Sequence, residues 1–462
     1  MEEVQIISAC LVGASSNSSN GNKLISQNIE MTPWDLQFLL VDTIQKGLLF
    51  KKPTPQQQEK NNTNMFKSLN STVSLVDHLK TSLSRTLDFF PPLAGRFSAT
   101  KNPNDDSITS FSITCDNSGA EFTHAIAQEL TVKEILESCY VPTIVHSLFP
   151  LNKVRNMQCV TKPLLGVQVT ELVDGYFIGC TMSHSVGDGT CFWHFFNSWA
   201  EISRGFEFIS RFPVLKRWFP ENIKTPIQLP LKLDDEKLYE CMELPILKER
   251  IFHLSKESVC KLKAKANSEM GTKSISSLQA FLAHLWRSVT LCRQVNANEE
   301  VTLTIIIGTR TRLNPPLPEG YWGNAAYLKP IKITAGEILE KGLGWAALQM
   351  NKVVASQNYE EVVNLYEGWV EKPVIFSRNA LFVANRLTIS SSPKFSIYSC
   401  DFGWGKPVAV RSGMANKGDG KVTLFPGVEE GSVDIEVCLV PETLLAMEND
   451  SEFMEFVTVS TT

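Results

Sequence analysis

Tyr176-Phe177-Ile178-Gly179-Cys180-Thr181-Met182 runs straight into Ser183-His184-Ser185-Val186-Gly187-Asp188-Gly189, and an aromatic-rich helical pattern follows from Cys191 to Ile202. The wholly apolar run reads as a strand of a central sheet, covered on both faces. The strand therefore hands a histidine to a turn built around two glycines, with a carboxylate four residues on. That is how a fold presents a general base at a strand end. The chain has seven histidines, so the placement of His184 narrows the choice quickly.

Other readings stand beside it. A single histidine and aspartate at this spacing is also the pattern of a satisfied loop histidine next to a turn aspartate. A metal site needs a third ligand, and His194 lies in the helical pattern among Phe192, Trp193, Phe195 and Phe196, where it reads as a packed core residue. A Ser-His-Asp hydrolase would show a Gly-x-Ser-x-Gly elbow, and none occurs. A general base remains, acting on a substrate hydroxyl or amine as that group attacks an activated carbonyl.

Working outward, Val4 to Ser8 reads as an opening strand, and Thr32-Pro33-Trp34-Asp35 as a helix start with threonine at the cap. Ser15 to Asn22 is a polar loop and Pro53 to Asn64 a polar insert. Leu75, Leu79, Leu83 and Leu87 share one face of a helix over about 73–87. From Phe212 to Pro245 five prolines sit among polar residues, which reads as a crossover between two halves. The second half alternates strands and helices again. Ser276-Ser277-Leu278-Gln279 forms a capping box, Val301–Ile307 a β-branched strand, Glu337–Ser356 a helix, and 380–384 and 433–440 further strands. The class is α/β, with an N-terminal lobe over 1–211, a crossover over 212–245 and a C-terminal lobe over 246–462.

A second constellation, Asp401-Phe402-Gly403-Trp404-Gly405-Lys406-Pro407, sets two glycines around a tryptophan, as a sharp turn or a packed indole requires. Spacing alone does not tie it to His184. Together, however, the two stretches resemble the paired signatures of the plant BAHD acyl-CoA-dependent acyltransferases. Further blocks are similar: Leu79–Ser84 with Pro92–Arg96, Ile275–Ala280, Arg312–Pro318, and Gly320-Tyr321-Trp322-Gly323-Asn324 with tryptophan where the family usually has phenylalanine. The resemblance spans essentially the whole chain.

It implies a two-lobed, chloramphenicol-acetyltransferase-like fold, with mixed sheets, flanking helices and a channel between the lobes. His184 takes the role of general base. Asp188 takes a structural role, pairing with an arginine for which Arg310 is the candidate. Asp401, Gly403, Trp404 and Gly405 shape the lobe and the channel. Acyl-CoA is expected as cosubstrate, with no permanent cofactor and no metal, and the helix start at Ser276 and Ser277 with Lys273 nearby is the candidate phosphate contact. One departure is Ser392, which stands where many members carry a pocket tryptophan.

Composition is ordinary for a soluble globular protein. A net charge of −5 and the lack of a basic, aromatic-interleaved cluster argue against nucleic acid. The eleven cysteines contain no CxxC pair and suit a reducing compartment. A cytoplasmic monomer with no membrane span is expected. The leading function is transfer of an acyl group from acyl-CoA to a hydroxyl, or an amine, of a plant specialised metabolite or lipid alcohol. The alternatives are a lyase that uses the same base for an elimination on a small acid conjugate, and a catalytically silent binding protein.

Overall fold

A computed structural model describes residues 3–15, 27–52, 74–233, 235, 245–381 and 383–458. The polar insert read at 53–64 lies outside the described residues, as does the polar loop at 15–22 apart from Ser15. The strands of the first half are β1 (Gln5–Val12), β2 (Gln27–Glu30), β3 (Ile44–Lys51), β4 (Arg96–Asn102), β5 (Asp105–Cys115), β6 (Ala120–Ile126), β7 (Leu165–Glu171) and β8 (Gly175–Met182). Its helices are α1 (Pro33–Leu36), α2 (Leu75–Leu87), α3 (Val132–Glu137) and α4 (Gly189–Ser203). The second half adds β9 (Lys248–Leu254), β10 (Glu300–Gly308), β11 (Ala326–Thr334), β12 (Arg386–Ser391), β13 (Ala409–Ser412), β14 (Lys421–Pro426) and β15 (Val433–Leu439), with α5 (Lys256–Glu269) and α6 (Ser277–Cys292) among its helices.

Two mixed six-stranded sheets, each flanked by helices, form the two expected lobes. One runs β1-β6-β7-β8-β3-β13 and the other β11-β10-β12-β14-β15-β9, while β2-β5-β4 makes a small third sheet. β8 is buried along nearly its whole length, which is why its sequence is a continuous apolar run. α2 lays Leu79, Leu83 and Leu87 on α4, whose Trp199 Nε1 donates to Ser82 Oγ at 3.0 Å.

The sequence places the turn around Trp404 in the C-terminal lobe. In the structure that segment leaves the second lobe and joins the first. β13 pairs antiparallel with β3, Ser412 opposite Lys46, and Ile397, Cys400, Phe402 and Trp404 belong to the first lobe's core. The exchange is mutual: Trp34, from the first half, packs in the second core, stacked on Trp218 at 5.7 Å and edge-on to Tyr366 at 5.0 Å. Apolar residues in a chain carry no label for which core they enter, so the exchange is invisible to a pattern reading.

Two local expectations change. The helix read over 337–356 is two helices, Ala335–Glu340 and Gly342–Ala355, broken where Gly342 takes a positive φ of 86°. The strand expected at 380–384 is a helical turn at Arg378–Leu381, and the strand begins only at Arg386, after Asn385 turns the chain at φ 58°. Leu387 and Ile389 then bury themselves beside β10, in parallel register with it.

Candidate active site

His184 leaves the end of β8, and its main chain is held from both lobes. From the first, Asn156 Oδ1 accepts His184 N–H at 2.7 Å and Ser183 Oγ–H at 2.9 Å. From the second, Asn324 Nδ2 donates to His184 O at 2.7 Å. The imidazole stacks on Phe38, with ring centroids 3.9 Å apart and planes at 18°. Its buried Nδ1 has no hydrogen-bond partner among the described residues. Burial pushes the pKa of His184 down to about 4, and the ammonium of Lys421 opposes protonation further, against the pull of Asp188. The ring is therefore neutral at physiological pH, as a proton acceptor must be.

Asp188 does different work. Its Oδ1 caps α4, accepting Thr190 N–H at 3.0 Å and Cys191 N–H at 3.2 Å. Oδ2 accepts Ala325 N–H at 3.1 Å, and Arg310 closes a bidentate pair, Nη1 to Oδ2 at 2.6 Å and Nη2 to Oδ1 at 3.0 Å. Burial alone would raise the Asp188 pKa, but Arg310 and the main-chain donors outweigh it and hold the carboxyl below its usual value. Five donors leave it no capacity for a substrate. Cys191, beside this pair, has its thiol pushed up to about 12 by burial and is inert as a nucleophile.

α4 ties the two motif regions together. Gly189 opens it because the Phe395 ring sits 2.9 Å from where a Cβ would be. Farther along, Asn197 Nδ2 donates to Ser396 O, Ser203 Oγ donates to Phe402 O at 3.0 Å, and Arg204 donates to Asp401 O. Asp401 Oδ1 accepts the N–H groups of Gly403 at 2.7 Å and Gly405 at 3.0 Å, and both glycines have positive φ, 109° and 124°. Trp404 stacks on Phe402, 5.6 Å between centroids. Ser392, in the position of the absent pocket tryptophan, accepts Lys394 N–H at 3.2 Å. The structure thus brings His184, Asp188 and Arg310 into one cluster and sets Asp401–Gly405 at the far end of α4.

Lys273, Ser276 and Ser277 lie elsewhere, on the surface of the second lobe at the start of α6. Ser276 Oγ accepts Gln279 N–H at 3.3 Å and Gln279 Oε1 accepts Ser276 N–H at 2.8 Å, an ordinary capping box, and no hydrogen bond among the described residues joins them to His184.

Four residues of the site were not singled out from the sequence. Asp35 and Arg217 form a buried ion pair at 3.1 Å. Arg217 Nη2 donates to Val186 O at 2.9 Å and Nη1 to Trp322 O, so it grips the turn just past His184. Asp35 Oδ1 accepts both the N–H and the Nδ2 of Asn324, at 3.1 and 2.9 Å. Asn156 completes the set. Arg217 falls within the proline-rich crossover, where its letter reads as solvated.

With this geometry in view, the family follows. Residues 3–454 match the Transferase family. A BAHD acyltransferase from Arabidopsis thaliana, named DCR, is 31% identical over 93% of this chain and 88% of that protein. The chain belongs to the BAHD acyltransferase family. Another Arabidopsis thaliana member, named an uncharacterized acetyltransferase, is 37% identical over 98% of this chain and 99% of its own. The crystal structure of TRI101 from F. graminearum, solved with coenzyme A and T-2 mycotoxin, superposes with a TM-score of 0.72 at 16% identity, covering 94% of this chain and 99% of that one, and so shares the BAHD fold. Among the described residues, no helix is long and apolar enough to cross a membrane.

Proposed function

We propose that this chain transfers an acyl group from acyl-CoA to the hydroxyl of a small-molecule acceptor, with His184 as general base; an amine acceptor is the close variant. The observation that carries the reading is a neutral imidazole with an unpartnered Nδ1, anchored by its main chain to both lobes, beside a carboxylate already saturated by five donors. The TRI101 structure solved with coenzyme A on the same fold supports acyl-CoA as the donor.

The acceptor oxygen attacks the thioester carbonyl carbon while His184 takes the hydroxyl proton. The tetrahedral intermediate then expels the CoA sulfur as the C–S bond breaks, and the imidazolium returns the proton to that sulfur. The thioester is already activated, so the enzyme positions the partners and moves one proton. Asp188, Arg310, Asp35, Arg217, Asn156 and Asn324 act by holding the loop. The start of α6, with Lys273, Ser276 and Ser277, stays the candidate seat for a CoA phosphate. Both lobes of one chain supply the site, so a monomer suffices.

The test is thiol release from a panel of acyl-CoAs in the presence of plant alcohols. His184→Ala is expected to lower kcat by about 10²- to 10⁴-fold with an unchanged Tm. An unchanged rate removes the base assignment, and product formation without any acyl-CoA points to the elimination chemistry instead.

A further inference from the structure

One face of the His184 imidazole is covered by Phe38. The two rings lie nearly parallel, 3.9 Å between centroids and 18° between planes, and no other ring pair among the described residues is closer than 4.7 Å. Phe38 comes directly after α1 and its cap residue Gln37. Its placement is built, from both halves of the chain. Asn156 holds the two main chains with one side chain: its Oδ1 accepts His184 N–H and its Nδ2 donates to Phe38 O, each at 2.7 Å. Asn324 donates to His184 O and to Asp35 Oδ1, on the residue three before Phe38. Phe376, from the second half, meets Phe38 edge-on at 5.6 Å and 61°, and its N–H donates to Gln37 O at 2.8 Å.

The contact matters because the ring changes charge during the reaction. In the resting protein burial opposes a charge on His184 most strongly, and Lys421 on β14 adds to it. The carbonyl of His184 itself, Asp188 at the cap of α4, and Asn324 do not outweigh them. The ring nevertheless becomes an imidazolium when it takes the acceptor proton, and stays one until that proton passes to the CoA sulfur. Asp188 cannot turn to meet the new charge, because Arg310 and three main-chain N–H groups hold its oxygens. A phenyl face can.

The face of a phenyl ring is its negative side, so it attracts a cation, whereas a neutral imidazole gains little beyond dispersion from it. Desolvation makes that attraction stronger than it is at an exposed site. A contact that strengthens as charge forms lowers the barrier; one equally strong throughout does not.

We propose that Phe38 is a positioning residue for the transfer, holding the imidazole flat and stabilising the imidazolium by a cation–π contact as it forms. The proposal rests on the reading of His184 as general base, and its electrostatic part can be measured without turnover.

Phe38 is replaced in the full chain by mono-, di- and trifluorophenylalanine, which keep the ring's shape while draining charge from its face. Phe38→Leu and Phe38→Ala complete the set. Two quantities are read: kcat with the fastest acyl-CoA and acceptor pair, and the NMR titration of the His184 ring, assigned by its loss in His184→Gln. With each added fluorine kcat is expected to fall, reaching about 2- to 30-fold for the trifluoro ring, while KM and Tm stay level. The acid constant of the imidazolium rises in the same order and by a similar factor, and Phe38→Leu matches the trifluoro ring in both. Phe38→Ala admits water, so its titration moves the opposite way, towards that of an ordinary histidine. A fall in kcat with an unmoved titration makes Phe38 a matter of shape, and a moved titration with constant kcat puts the contact outside the reaction; either result overturns the proposal, as does a series flat in both. If no acyl-CoA is consumed with any acceptor, the transfer reading fails, and the cation–π contact stands or falls on the titration series alone.

Discussion

Asp188 and Asp35 each meet an arginine, and every oxygen of both carboxylates is bonded to the surrounding chain. Elsewhere along the same seam, Lys46 and Lys421 have no hydrogen-bonded acid among the described residues and share only the field of Glu436, which Lys417 and Ser412 already engage. Both regions are largely buried, with Arg310 and Lys421 half-covered, and both draw on the two halves of the chain. The difference is closure. Buried charge that is fully matched holds a loop in one place and leaves nothing to offer a substrate. Buried charge without a bonded partner of its own costs stability.

The comparison breaks most easily at its matched end. Asp188→Asn leaves Arg310 as an uncompensated buried cation and weakens the cap on α4, and is expected to cost about 3–5 kcal/mol in urea unfolding. A loss under about 1 kcal/mol would mean the pair is no strut. Next in size is the pH response of the loop that the pair supports. The folded-state pKa of His184, about 4, lies below its ordinary 6.5, so between those values the unfolded chain binds more protons than the folded one. The stability linked to His184 thus falls as pH drops from 6.5 and levels off below about 4, whereas the protonation-limited rate holds down to about pH 4 to 5 and is lost on further acidification. At pH 5, kcat/KM is expected to remain near its plateau, where a histidine of ordinary pKa would have lost roughly 30-fold. An acid limb at 6.5 in the pH–rate profile would contradict the burial argument.

Asn324→Ala removes donors from His184 O and from Asp35 Oδ1 at once, and is expected to cost about 1–3 kcal/mol of stability, with kcat falling more than KM rises. The smallest effect belongs to the unmatched end. Lys421→Met takes away a desolvated charge that has no hydrogen-bonded partner among the described residues and only the field of Glu436, so Tm at pH 7 is expected to stay level or rise slightly. Because the folded pKa of Lys421 is lowered to about 8, the wild type gains stability as pH rises from 8 towards 10.5, and the variant's curve is flatter there. A marked drop in Tm would show that Lys421 is matched after all.

These two regions also differ in how far they could be read in advance. The strand, turn and helix around His184 were plain, because an apolar run, glycines and a capping aspartate are local signals. Arg310 could be named as the partner of Asp188 from the family resemblance. The rest of the support was hidden for a physical reason: Asn156, Asn324 and Arg217 act through main-chain atoms far away in sequence, and nothing in their neighbours marks that. The lysines were hidden more deeply. Lys46 stands in a strand between Gln45 and Gly47, and Lys421 follows a glycine-rich turn, so each letter reads as a solvated charge. Only the meeting of the two lobes buries them.

The crossing of β13 into the first sheet also sets an order on biosynthesis. β3 is the edge of that sheet until Ala409–Ser412 has been made, long after β8 and α4 have left the ribosome. During that interval the nascent first lobe carries a bare strand edge and a core still lacking Phe402 and Trp404. A chain cut after residue 211 stays in that condition permanently, as an aggregation-prone fragment and not an autonomous domain.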